Sequence, residues 1–126
     1  MEADFANAAF AHVESLGILP CHYPNVGGFT DTDHIRVSIL PTTPQKLSIC
    51  SAGSKRLWIL QCLVCVRDGV GIVKADEYVD QLQSGIPFLT ELAGGFTAID
   101  DGAPLPPLVH DGWFCTPVQF RFLRVN

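Results

Sequence analysis

The chain has 126 residues, a formal net charge of −5, 48% hydrophobic and 17% charged residues, a balance that excludes disorder as its main description and fits one domain spanning 1–126. A chain of this length buries roughly two-thirds of its unfolded surface, so folding requires neither a metal nor a disulfide. Its eight Lys and Arg are scattered apart from Lys55-Arg56, which argues against sequence-specific nucleic-acid binding but suits an acidic wall that DNA passes without sticking.

Five cysteines, Cys21, Cys50, Cys62, Cys65 and Cys115, cannot all pair within one chain. The first residues are acidic and amphipathic, unlike a signal peptide, so reduced thiols in a protein made in the cytoplasm are expected. No apolar run approaches the ~20 residues of a membrane span, so a soluble chain is expected.

Glu2 to Leu16 reads as a helix: Phe5, Ala9, His12 or Val13, and Leu16 recur at helical spacing. Gly17 is a natural stop with Pro20 beyond it. Pro20 to Asp33, rich in Pro, Gly, Asn, Thr and Asp, reads as a loop. Ile35, Val37 and Ile39 then alternate with Arg36 and Ser38 as a half-buried strand, which Pro41 and Pro44 interrupt before Gln45 to Cys50 resumes. Beyond the turn-like Ser51 to Ser54, Arg56 to Val66 carries the longest strand signal. Trp58, Leu60, Cys62, Val64 and Val66 share one face; Leu57, Ile59, Leu63 and Cys65 share the other. Apolar groups on both faces indicate a central strand, or one whose outer face meets another subunit. Ile35 to Val66 is therefore read as a hairpin whose outer half extends past the core.

After Arg67 to Gly71, Ile72, Ala75, Val79 and Leu82 define a second helix, with Asp76, Glu77 and Asp80 on a solvated face, ending near Ser84-Gly85 before Pro87. Phe88 to Ala93 reads as a further short helical turn, Phe96 to Ile99 as a strand and Asp100-Asp101-Gly102 as a turn. Pro104, Pro106 and Pro107 make an extended, stiff segment. Trp113 to about Val125 is the last strand, where Pro117 implies a bulge or an edge. The economical packing is α+β: an antiparallel sheet of about four to five strands with two helices on one face.

Chemistry-bearing constellations are weak. Cys62 and Cys65 spell a CxxC, but three apart on a strand they point to opposite faces and read as buried structural thiols. Cys21-His22 has no second ligand pair, so no metal site is expected. His110-Asp111 near Cys115, the Asp100-Asp101 pair and Gly69-Val70-Gly71 read as turns and connections; the last lacks the third glycine of a dinucleotide loop. No catalytic residue and no cofactor are expected.

Tyr23-Pro-Asn-Val26, Ile35-Arg-Val-Ser-Ile-Leu-Pro41, the strand Leu57-Trp-Ile-Leu-Gln-Cys-Leu-Val64, Gly69-x-Gly71 before an amphipathic helix, and Asp111-Gly112-Trp113 before the last strand occur in that order. From about Pro20 to the C-terminus, this resembles a family of short bacteriophage tail-completion proteins similar to the tail terminators of long non-contractile tails. The resemblance implies a virion protein that catalyses nothing. It implies a hexameric ring that caps the tail tube, meets the tail tube protein and a head-completion or neck protein, and lets DNA pass through its lumen. Ring closure makes each contact heterologous, and the outer hairpin, with Leu40, Leu47, Ile49 and Trp58, is the expected oligomer interface, although packing of Trp58, Leu47 and Ile49 on the first helix is the competing reading. Other neck, head-closure or tube subunits, or a small host α+β module with a ligand pocket between helices and sheet, are the alternatives.

Overall fold

The computed structural model describes residues 2–23, 33–40, 55–67, 72–110 and 112–125. In chain order its elements are α1 (Glu2–Leu16), β1 (Cys21–His22), β2 (His34–Leu40), β3 (Lys55–Arg67), α2 (Ile72–Gly85), β4 (Glu91–Leu92), β5 (Phe96–Ala98), β6 (Ala103–Pro104), β7 (Leu108–His110) and β8 (Trp113–Val125). The axis of the fold is the antiparallel pair β3 and β8, in register from Lys55↔Val125 to Arg67↔Trp113. Both are rich in β-branched, aromatic and cysteine side chains that suit a pleated, two-sided surface.

β2 pairs antiparallel with the free edge of β3, from His34↔Cys65 to Leu40↔Ile59. The other edge of β8 is met in succession by β7, β6 and β5, and β4 pairs with β5. The result is a curled sheet with eight strands among the described residues, more than the four to five expected. Three segments account for the difference. Cys21–His22, read as loop, lies parallel to Ile35–Arg36, so the sheet is not purely antiparallel. The Ile35 N–H donates to the Pro20 carbonyl at 2.9 Å and starts that pairing. The proline-rich stretch supplies β6 and β7, because a strand bonded on one side only needs few donors. Phe88 to Ala93 is not helical: it is a turn followed by β4, with the Thr90 N–H donating to the Pro87 carbonyl at 3.1 Å.

Pro117 sits within β8, opposite Leu63. Its carbonyl accepts from the Leu105 N–H at 2.8 Å, on the side of β6 and β7. A strand residue aims its N–H and C=O to the same side. The missing donor of Pro117 therefore faces the break between Pro104↔Val118 and Leu108↔Cys115, where the ladder is already interrupted. An edge is thus supplied locally beside a central strand.

Side-chain parity divides the sheet. Trp58, Leu60, Cys62 and Val64 of β3 join Val118, Phe120 and Phe122 of β8 and Ile35 and Val37 of β2 in one buried cluster. Phe5, Ala9 and Val13 of α1 and Val79 and Leu82 of α2 belong to the same cluster, so both helices cover one face. The His12 Nε2–H donates to the Gly85 carbonyl at 2.9 Å and ties the first helix to the end of the second. Gln83 Nε2 donates to the Gly102 carbonyl at 2.7 Å, fixing the turn before β6. No helix among the described residues is long and apolar enough to cross a membrane.

Candidate assembly surface

The face of the sheet opposite the helices is built from the alternate residues of the same strands. Directly opposed residues in a ladder point the same way, so Leu40, Ile59 and Arg121 form one cross-strand row. Ser38, Gln61 and Gln119 form the next, with Gln119 Nε2 donating to Gln61 Oε1 at 3.0 Å. Arg36, Leu63 and Pro117 follow, then His34, Cys65 and Cys115. Leu57 and Leu123 face each other at the other end. Leu40, Leu57, Ile59, Leu63 and Leu123 are all half-buried, whereas their helix-side neighbours Leu60, Cys62 and Val64 are closed off. Among the described residues no helix packs on this face. Its upper end is closed by a second cluster of Cys65, Trp113 and Cys115, with Leu63 against it.

Further apolar groups stand at the rim. Leu108, opposed to Cys115, is 49% exposed and Val109 is 61% exposed. Phe88 and Leu89 project from the turn before β4 at 54% and 61% exposure. That turn is held firmly: the Phe88 N–H donates to Asp101 Oδ1 and the Leu89 N–H to the Ala98 carbonyl, both at 3.0 Å. Leu89 has φ of 71°, a left-handed conformation unusual for a branched side chain. An open apolar hollow of about 400 Å³ lies between α1, the turn after β4 and β8, lined by Ala8, Ala11, Ala93 and Gly94, with Asp4 and Arg124 at its margins.

The expected interface residues separate. Leu40 lies on the helix-free face beside Ile59. Trp58 does not: it is 4% exposed and stacks on Phe5 of α1 with ring centroids 5.2 Å apart. Parity places it among core residues, so it has no surface to give a neighbour, and packing on the first helix is what is found for it. Leu47 and Ile49 lie outside the described residues. Leu57 and Ile59, grouped on one strand face by the sequence pattern but not among the expected interface residues, and Leu123 carry the same face as Leu40.

Cys62 is in the main core and Cys65 in the second cluster, on opposite faces. Burial pushes both thiols up from their ordinary range. The two aspartates diverge: Asp100 pairs with the Arg121 guanidinium, accepting from Nε at 2.7 Å, while Asp101 holds the Phe88 turn. Asp76, Glu77 and Asp80 are exposed along α2. His110-Asp111 and Gly69-Gly71 include residues outside those described. Among the described residues no group of three or more His, Cys, Asp or Glu is placed to hold a metal ion.

No family model and no curated protein matches the chain. Five solved chains match its fold. One of them, which bears no functional description, superposes with a TM-score of 0.66 over 94% of this chain and 86% of its own, at 17% identity. At that identity the likeness concerns architecture alone. Two helices over one face of a curled sheet is the fold the two chains share.

Proposed function

We propose that the chain is a non-catalytic structural subunit that closes into a ring, of the tail-terminator kind, capping a phage tail tube and joining it to the head. The observation that carries the reading is the helix-free sheet face, where Leu40, Leu57, Ile59 and Leu123 of three adjacent strands stay only half-buried. A small protein whose sheet face carries partly exposed apolar side chains with no helix over them gains by covering that face with another copy. A ring contact is heterologous, so this face meets a different patch of the neighbour, and the Phe88-Leu89 projection and the Leu108-Val109 rim offer such patches. The net charge of −5 suits a lumen that DNA traverses without being gripped. In this role the subunit occupies the tube end that the next tube ring would use and offers neck proteins a different surface.

The test is the size of the purified protein by light scattering and negative-stain microscopy, alone and with tube subunits. Closed rings that stop tube growth support the reading. Open-ended polymers would make it a tube subunit, and a monomer at every concentration that ignores tube ends would overturn it. Ile59→Glu charges the face next to Arg121 and should abolish rings while leaving the monomer folded. The hollow between α1 and β8 favours one second reading, a ligand-binding module of the α+β class. Thermal shift against a metabolite panel separates the two.

A further inference from the structure

Cys65 and Cys115 are direct partners across β3 and β8, and their sulfurs lie 3.0 Å apart. Both are free thiols, 0% and 4% exposed. The pair is of the non-hydrogen-bonded kind. Pro117 turns its carbonyl away from β3, so Leu63↔Pro117 makes no ladder bonds, and two residues along the ladder Cys65↔Cys115 repeats that geometry. At such positions the Cα atoms approach to roughly 4.5 Å, within the range a disulfide spans without moving the backbone. The surroundings are built around the pair. Trp113 lies beside it in the second cluster, and the His34 ring, level with Cys65 on β2, meets Trp113 edge-on at 4.9 Å. Arg36 Nε donates to His34 Nε2 at 3.2 Å, which orients that ring.

We infer that Cys65 and Cys115 form a two-electron redox pair that a peroxide converts into a cross-strand disulfide, stapling β3 to β8 once the protein leaves a reducing compartment. The inference goes beyond the assembly reading and stands without it. The Cys115 sulfur, the less enclosed of the two, attacks one peroxide oxygen and becomes a sulfenic acid as one water leaves. The Cys65 sulfur then attacks the Cys115 sulfur, the S–S bond forms, and the sulfenic oxygen departs as a second water with the Cys65 proton. Two thiols are oxidised, one peroxide is reduced, and two waters result. Hydrogen peroxide is small enough for a closed site that bulkier disulfide oxidants reach poorly. Cys62, three residues from Cys65, takes no part because it points into the main core on the other face.

The experiment treats the reduced full chain with hydrogen peroxide, blocks remaining thiols in denaturant and maps peptides without reduction. A Cys65–Cys115 link is expected in the wild type and in Cys62→Ala, reversed by dithiothreitol. The link closes a loop of 50 residues, so the midpoint of thermal unfolding should rise on the order of 10 °C. Recovery of Cys65 and Cys115 as blocked thiols, as sulfonic acids, or linked to other cysteines overturns the inference. Because the map is read on the wild type, the outcome does not depend on whether Cys65→Ala or Cys115→Ala folds; where those variants do fold, the thermal rise should vanish.

Discussion

Phe5 and Trp58 stack with an interplanar angle of 28°, joining the first turn of α1 to the N-terminal part of β3. Phe96 and Phe122 close on the same ring of Phe5 at centroid distances of 5.0 and 5.4 Å. Four aromatic groups from one helix and three strands thus meet at one point, so each element's position depends on the others. Trp58→Ala should cost about 3–5 kcal/mol, as for other large buried aromatics, and Trp58→Asp more. Urea unfolding gives the cost directly. Wild-type stability in Trp58→Ala would mean that this aromatic centre is not the core.

The backbone at Leu89 stores strain. With φ of 71° at the third position of the Pro87–Thr90 turn, it occupies a place that ordinarily calls for glycine. Leu89→Gly and Leu89→Ala both remove the exposed side chain, but only glycine relieves the left-handed conformation. Leu89→Gly should therefore be the more stable of the two by about 1 kcal/mol. Equal urea midpoints at equal slope would mean the turn relaxes to another conformation.

Two glycines separate a rigid contact from a forgiving one. A methyl group at Gly102 would collide with the ring of Phe120, which is 0% exposed and has nowhere to turn. A methyl at Gly85 would come within 2.6 Å of the Leu16 side-chain tip, which is half-buried and can rotate. Gly102→Ala should cost about 1–3 kcal/mol and Gly85→Ala clearly less, since alanine also favours the last turn of α2. Calorimetric midpoints of the two variants decide it; the reverse order would contradict the packing at Phe120.

Long periodic elements were readable because their patterns repeat: Phe5, Ala9 and Val13 announce one helix, Val79 and Leu82 the other, and the alternation from Trp58 to Val66 a central strand. Short elements were not. Cys21–His22 and Ala103–Pro104 are two residues each, too brief for a period, and exist only because β2 and β8 offer edges distant in sequence. The Phe88 turn has no sequence signal because Leu89 breaks the glycine rule for its conformation. For the candidate assembly surface, parity already groups Trp58 with one apolar face of β3, yet its place in the outer half of the hairpin puts it in the expected interface. The correct neighbours of Leu40, namely Ile59 and Arg121, follow only from the register of three strands. The same is true of Cys65 opposite Cys115, a pairing 50 residues apart that no local pattern contains.

Burial of Cys62 makes stability depend on alkaline pH. Desolvation in the main core raises its thiol from the ordinary value of 9.0, so the folded chain keeps this proton where the unfolded chain releases it. The folded state then binds more protons above pH 9, and by linkage stability falls as pH rises; below about pH 9 the contribution is fully present. Between pH 9 and 10 one such thiol accounts for about 1 kcal/mol. The raised thiols of Cys21 and Cys65 act in the same direction, but they are present in wild type and in Cys62→Ala alike and cancel in the difference. Cys62→Ala should start less stable, because it leaves a small cavity, and lose about 1 kcal/mol less than wild type over that interval. Urea unfolding of both proteins at pH 8, 9 and 10 under reducing conditions measures this. Parallel declines would show that the Cys62 thiol ionises as readily in the folded chain as in the unfolded one, which is incompatible with a sulfur sealed beneath both helices.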